Sequence, residues 1–449
     1  MYETLLQRAD TLASGQTTSE QMVRDALDRI NEPTGEGSRT FVKVHSFAAL
    51  AAAKAYDSLR KAGLSPTPFA GIPISVKDLF DLEGEPTPAG SKVLSHAAPA
   101  TADAPAIARL RAAGFVVIGR SNMTEFAFSG LGLNPHYDTP ANPYDRDTRR
   151  IPGGSSSGAA VSVSDGMAAA GIGSDTGGSC RIPAALCGIT GYKPTASTVP
   201  RIGVLPLSTT LDSIGSLANS VECCRILHMI MSGFDVTPAL PSNLTGLRIG
   251  VPQTIALDDL EPYIAETFER TLRQLSKAGA VVTTITMQEF GEVPHLNAKG
   301  GFSAAEAYAW HRSFLDQHGD LYDQRVRSRI LRGKEQLACD YVDLISARAD
   351  FVRRANRAAQ PFDVLAMPTV PMVAPAITAL DGDNELFTRV NLAMLRNPTL
   401  INMMDGCSVS IPMHRQGDAP AGLMLSTIGG HDATLFSNAS AIENALSAQ

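Results

Sequence analysis

The stretch from residue 151 to 194, IPGGSSSGAAVSVSDGMAAAGIGSDTGGSCRIPAALCGITGYKP, carries two glycine-serine clusters. One is Gly153-Gly154-Ser155-Ser156-Ser157-Gly158, the other Gly173-Ser174-Asp175-Thr176-Gly177-Gly178-Ser179, and the connector between them is mainly small and apolar. Glycine permits the positive-φ turns that set successive N–H groups side by side, and small residues let backbone pack on backbone. A flexible linker would not enclose so much Ala, Val, Met and Ile. Two hydroxyl-bearing turns joined by a packed connector therefore read as a built site.

The rest of the chain sets bounds on that site. At 449 residues with 44% hydrophobic and 18% charged, it has material for two or three domains or one large core with appendages. The formal charge is −7 and basic runs go no further than pairs such as Arg149-Arg150, which argues against nucleic acid as a direct partner. MYETLLQRAD lacks the apolar centre of a signal peptide, and no apolar run approaches the ~18 residues of a membrane span. The six cysteines, at 180, 187, 223, 224, 339 and 407, have no metal-ligand spacing, and a bridge between neighbours 223 and 224 would be strained. Free thiols in the cytoplasm are the expectation.

Residues 1–65 read as a helical arm. Thr18-Ser19-Glu20-Gln21 has a capping-box pattern ahead of Val23, Ala26, Leu27 and Ile30. From Pro68 short β-branched runs alternate with helical periodicity: strands at 115–119, 247–252, 281–285, 362–368, 407–412 and 422–427, helices at 104–113, 264–278 and 433–446. Residues 371–384 read as a surface loop. The pattern predicts an α/β fold, a large mixed sheet flanked by helices on both faces. Four segments are expected: the arm 1–65, a core at 66–287, a helical specificity region at 288–360, and 361–449 completing the same core.

A serine hydroxyl such as that of Ser179 is inert at neutral pH without a base. None of the nine histidines lies within 151–194, and His136, the nearest upstream, reads as solvated in a turn. That leaves Lys77, in the apolar run Ile72-Pro73-Ile74-Ser75-Val76-Lys77. To act as a base its pKa would have to fall from ~10.4 by roughly three, about 4 kcal/mol in favour of the neutral amine. A serine from the first cluster could relay the proton. Three rival motifs fail. Gly154-Ser155-Ser156-Ser157-Gly158 fits a nucleophile elbow centred on Ser156, but Asn142 to Arg150 cannot be the strand that motif needs. Ser58-Leu59-Arg60-Lys61 has an S-x-x-K spacing without its companion motifs, and no phosphate-binding glycine motif occurs.

Four groups of residues, in order, resemble the amidase signature family: 71–78 (GIPISVKD), 121–126 (SNMTEF), 152–158 (PGGSSSG), and 173–183 with the trailing GITGYKP. With Leu211-Asp212-Ser213-Ile214-Gly215 the similarity is strong over about 65–220 and weak beyond. The resemblance implies an amidase that cleaves a carboxamide to carboxylate plus ammonia or amine through an acyl-enzyme, without metal or organic cofactor. The family's triad falls on Ser179 as nucleophile, Ser155 after a cis peptide as bridging serine, and Lys77 as base. Its oxyanion hole falls on the amides of Thr176, Gly177, Gly178 and Ser179. Ser129 is the expected substrate contact, residues 290–400 most of the specificity wall, and Asp175 with Arg181 a pair that shapes the turn. The expected partner is a small-molecule amide, with no membrane, and homodimerisation stays open. Two alternatives remain: the glutamine-hydrolysing subunit of a tRNA-dependent amidotransferase, and a non-catalytic partner subunit with the same fold.

Overall fold

The computed structural model describes residues 3–240 and 242–447. Its strands, in chain order, are β1 Phe41–Val44, β2 Pro73–Lys77, β3 Val116–Ser121, β4 Ala170–Asp175, β5 Thr190–Lys193, β6 Ser213–Ala218, β7 Arg248–Pro252, β8 Val281–Ile285, β9 Val364–Pro368, β10 Cys407–Pro412 and β11 Gly422–Thr427. All belong to one 11-stranded sheet in the order β1-β3-β2-β4-β6-β5-β10-β11-β9-β7-β8. β2 runs parallel to β3 and β4, β7 runs parallel to β8 and β9, and the remaining pairings are antiparallel. The fold is thus the α/β type expected, a large mixed sheet with flanking helices.

Every residue of β2, β3 and β4 is buried. Strands covered on both sides have no polar face to alternate with, which is why these segments read as continuous apolar or small runs. The helix Ser157–Ser164 packs on β4. It lies so close that a Cβ on Gly171 would come within 2.9 Å of the Ala159 Cβ and carbonyl oxygen. The small residues between the two clusters therefore exist to bring this helix and strand together. The helix Pro262–Lys277 starts with proline in its first turn and buries Ile264, Thr267, Phe268, Thr271 and Leu275 on one face.

Three local expectations change. The arm is not wholly helical: β1 pairs antiparallel with β3, Phe41 opposite Ser121 and Val44 opposite Gly119, and forms an edge of the sheet. Four residues between helices are too few to show a strand period. Thr18 does cap the helix Ser19–Ile30 by accepting from the Gln21 amide, but the Gln21 side chain bonds Asp25, so the box is only half formed. Residues 371–384 are not a free surface loop, since Ala374, Ile377 and Leu380 are buried and Ile377–Asp381 is helical. All six cysteines are unpaired, five of them buried. Among the described residues no helix is long and apolar enough to cross a membrane.

Candidate active site

β2, β3 and β4 are parallel and end together, and the site is assembled at their C-terminal ends, where open α/β sheets place ligands. β2 ends on Lys77, and β4 on Asp175, followed by the turn 176–180 and the helix Arg181–Cys187. The two glycine-serine clusters are stitched to each other. The Ser156 amide donates to the Ser179 carbonyl at 3.3 Å, and the Ser156 hydroxyl to the Ser174 carbonyl at 3.4 Å. The peptide between Gly154 and Ser155 is cis.

Lys77 is fully buried and its Nζ donates to the Ser155 hydroxyl at 2.7 Å and the Ser174 hydroxyl at 2.9 Å. The adjacent carboxylate, Asp78, is turned away to Arg120 at 2.7 Å. Burial therefore dominates, pushing the Lys77 pKa down to about 8 against the weaker pull of Asp175 and Asp212. A second buried lysine, Lys193, gives a useful contrast. It donates to the carbonyls of Pro194 and Gly406, each at 2.7 Å, and to no hydroxyl among the described residues.

Asp175 organises the turn. Arg181 grips its carboxylate in a fork, Nη2 to Oδ1 at 2.9 Å and Nε to Oδ2 at 3.1 Å, and both side chains are completely buried. Asn402 Nδ2 adds a bond at 3.0 Å, the Gly178 amide one at 2.8 Å and the Cys180 amide one at 3.1 Å. Burial alone would raise this carboxyl, but the Arg181 charge and hydrogen bonds outweigh it and hold it well below the ordinary range. The Gly178 amide is thus spent on Asp175. Of the four amides singled out from the sequence, those of Thr176, Gly177 and Ser179 have no acceptor among the described residues. Gly178 itself sits at φ +122°, and a Cβ there would lie 2.5 Å from Pro398 Cβ, so only glycine fits. The Thr176 hydroxyl donates to Asp212 at 2.5 Å, and burial raises Asp212 to about 6 although two backbone amides also bond it.

Above the turn is a cavity of about 620 Å³, lined by Ser179, Thr176, Gly177 and Ser129 among others. Ser155, Ser156 and Lys77 do not line it, although all three are buried beside the turn. Ser156, the serine of the elbow alternative, is thus not part of the wall of that cavity. Ser129 donates to Asn391 Oδ1 at 2.9 Å, an oxygen that also accepts from the Gly130 amide. Most of the wall comes from 293–400, but much of that is the helix Asn384–Met403, beyond the 288–360 region. No histidine among the described residues lines the cavity. His136 is not solvated as expected: its Nε2 meets Glu125 Oε1 at 2.8 Å. Among the described residues no cluster of His, Cys, Asp and Glu could hold a metal ion.

Sequence reasoning missed Ser174, Asp212, Asn391 and Asn402. Ser174 and Asp212 lie inside motifs already singled out, so a role could have been sought for them. Asn391 and Asn402 lie on a helix with no local signal, and only the tertiary fold brings them to Ser129 and Asp175.

Comparison with known proteins identifies the family of the chain. The family model described as Amidase matches residues 21–436, well beyond the 65–220 span that holds the motifs. The chain is 36% identical over 406 residues to a 2-amino-5-chloromuconic acid deaminase of Comamonas testosteroni, covering 88% of this chain and 86% of that one. It is 32% identical over 477 residues to a glutamyl-tRNA(Gln) amidotransferase subunit of Chloroflexus aggregans, covering 97% and 94%. A crystal structure of an amidase superposes with a TM-score of 0.88 at 28% identity, covering 98% of this chain and 99% of that one. The paired serine-glycine turns, the buried lysine beneath them and these similarities together establish that the chain is an enzyme of the amidase family, the amidase-signature hydrolases.

Proposed function

We propose that the protein hydrolyses a carboxamide through Ser179, Ser155 and Lys77. The observation that carries this reading is Lys77: a fully buried amine with no ion pair among the described residues, bonded to the Ser155 hydroxyl at 2.7 Å beside the turn that presents Ser179 to the cavity. Burial lowers its affinity for a proton, so the neutral amine is accessible near neutral pH, as a base requires.

Ser179 Oγ attacks the amide carbonyl carbon. Its proton goes to Ser155, which passes its own to neutral Lys77. The charge that develops on the carbonyl oxygen is held by the free amides of Thr176, Gly177 and Ser179, aimed by the Asp175–Arg181 pair and by Asp212 through Thr176. As the C–N bond breaks, the proton returns through Ser155 to the leaving nitrogen, and ammonia or an amine departs. Water then attacks the Ser179 ester, by the same relay, to release the carboxylate. We read the enzyme as cytoplasmic, an assignment supported by six cysteines that are all thiols.

Replacement of Lys77 tests the mechanism. Lys77→Arg keeps a positive charge but cannot surrender its proton at working pH, so it loses turnover as fully as Lys77→Ala. An active Lys77→Arg enzyme refutes the assignment. The similarity to the amidotransferase chain favours a second reading, a glutaminase that supplies ammonia to a partner. A stand-alone amidase turns over simple amides as a purified chain, with glutamine a poor substrate. Glutamine hydrolysis that requires both charged tRNA and a partner protein decides for the second reading.

A further inference from the structure

The cavity above Ser179 has a charge balance opposite to that of the chain. Over the whole sequence Asp and Glu outnumber Lys and Arg, 45 to 38, yet the cavity wall carries Arg329, Arg332 and Arg396 and, among the described residues, neither Asp nor Glu. The carboxylates bonded to its neighbours are already engaged. Asp212 holds Thr176 and the Leu207 and Ser208 amides, and Glu306 accepts from the hydroxyls of Ser208, Thr210 and Tyr341.

Arg396 is the best placed of the three. It lies on the helix Asn384–Met403, whose Leu395 and Thr399 close over the turn. A Cβ on Gly177 would meet Thr399 Oγ1 at 3.2 Å and Leu395 Cδ2 at 3.6 Å. Arg396 stands three residues before Thr399 on that helix, and both line the cavity. Its Nε donates to Asn397 Oδ1 at 3.2 Å, while Nη2 is buried with no hydrogen-bond partner among the described residues. Asp258 and Asp259 act on it through longer-range charge, and neither forms an ion pair with it. A buried guanidinium donor without an acceptor is costly to maintain, and a carboxylate oxygen answers it in charge. Arg329 is anchored to the Phe128 carbonyl at 2.6 Å, beside Ser129, and Arg332 to the Ala298 carbonyl at 2.9 Å. Both add positive potential at the wall. Much of the remaining lining is apolar, including Leu207, Leu211, Ile255 and Leu400, which strengthens any charge pairing made there.

We infer that this site selects amides that carry a carboxylate, the monoamides of dicarboxylic acids, with Arg396 as the residue that receives the carboxylate. The inference rests on the amidase reading of Ser179 and names the substrate class of that site. It also separates such monoamides from glutamine, whose ammonium finds no acid on the wall.

The test reads binding apart from chemistry. The Ser179→Ala protein, which cannot form an acyl-enzyme, is titrated calorimetrically with the series from succinamate to suberamate, each against the neutral alkanamide of equal length, and with glutamine. One charge-assisted pairing predicts that the best monoamide binds about tenfold or more tighter than its alkanamide and than glutamine. Added salt weakens that preference, and Arg396→Gln in the same background reduces it by roughly tenfold. Equal binding of monoamide and alkanamide across the series, no binding of either, or an intact preference in Arg396→Gln overturns the inference. Wild-type protein that fails to hydrolyse the very monoamides Ser179→Ala binds would instead refute the amidase reading and leave the charge selection standing.

Discussion

Lys77→Met gives a stability signature whose sign and size follow from burial. The amine titrates at about 8 in the folded chain against 10.5 when unfolded. Between those values the unfolded state binds more protons, so stability rises with pH across that window. Below pH 8 both states are protonated, and the folded state carries the whole cost of the buried ammonium. At 1.36 kcal/mol per pH unit that cost is about 3 kcal/mol, and raising the pH from 7 to 10 relieves roughly 2–3 kcal/mol of it. Methionine removes the increment. It also leaves the Ser155 and Ser174 hydroxyls without their donor, a loss of ~1–3 kcal/mol each that is the same at both pH values. The informative quantity is therefore the change in the wild-type-minus-variant difference between pH 7 and pH 10, measured by urea unfolding at constant ionic strength. Tyrosine and cysteine titrations are common to both proteins and cancel. A difference that stays constant with pH would show that Lys77 is not desolvated and would refute the reasoning. The same equilibrium gives activity an acid limb near pH 8 that belongs to the coupled Lys77–Ser155–Ser179 unit.

Asp175→Asn breaks a fully buried ion pair that also anchors two turn amides, so denaturant unfolding should show a loss of about 3–5 kcal/mol, with kcat falling because the turn is no longer aimed. Gly178→Ala drives a Cβ into Pro398 at a positive-φ position and should lower both Tm and kcat, whereas Gly177→Ala meets only the side-chain ends of Thr399 and Leu395 and should keep its Tm while losing kcat/KM. Asn391→Ala releases the Ser129 hydroxyl and the Gly130 amide together, and steady-state kinetics should show KM rising more than kcat falls.

The core of the candidate site was legible because its residues are contiguous in sequence. Gly177 and Gly178 announce a turn with crowded backbone, and Lys77 closes a short apolar strand. What escaped notice depends on contacts between distant segments. Ser174 becomes a second acceptor for Lys77 only because β4 lies beside β2, and Asn402 reaches Asp175 from 227 residues away. β1 was hidden by its brevity, since four residues acquire strand character from pairing with β3 rather than from their own period. The four-amide oxyanion expectation could not foresee that Asp175 turns its carboxylate back onto Gly178. The wall was legible as a region but not by residue, because the helix Asn384–Met403 reaches the cavity through packing that leaves no local pattern.

The central claim, that Ser179 is the nucleophile, is tested most directly by covalent labelling. The protein is incubated with a serine-directed phosphonylating reagent, digested and mapped by mass spectrometry. The account predicts one adduct, on Ser179, formed faster as pH rises through about 8 and lost in Lys77→Met. An adduct on Ser156, or undiminished labelling of Ser179 without Lys77, would contradict it.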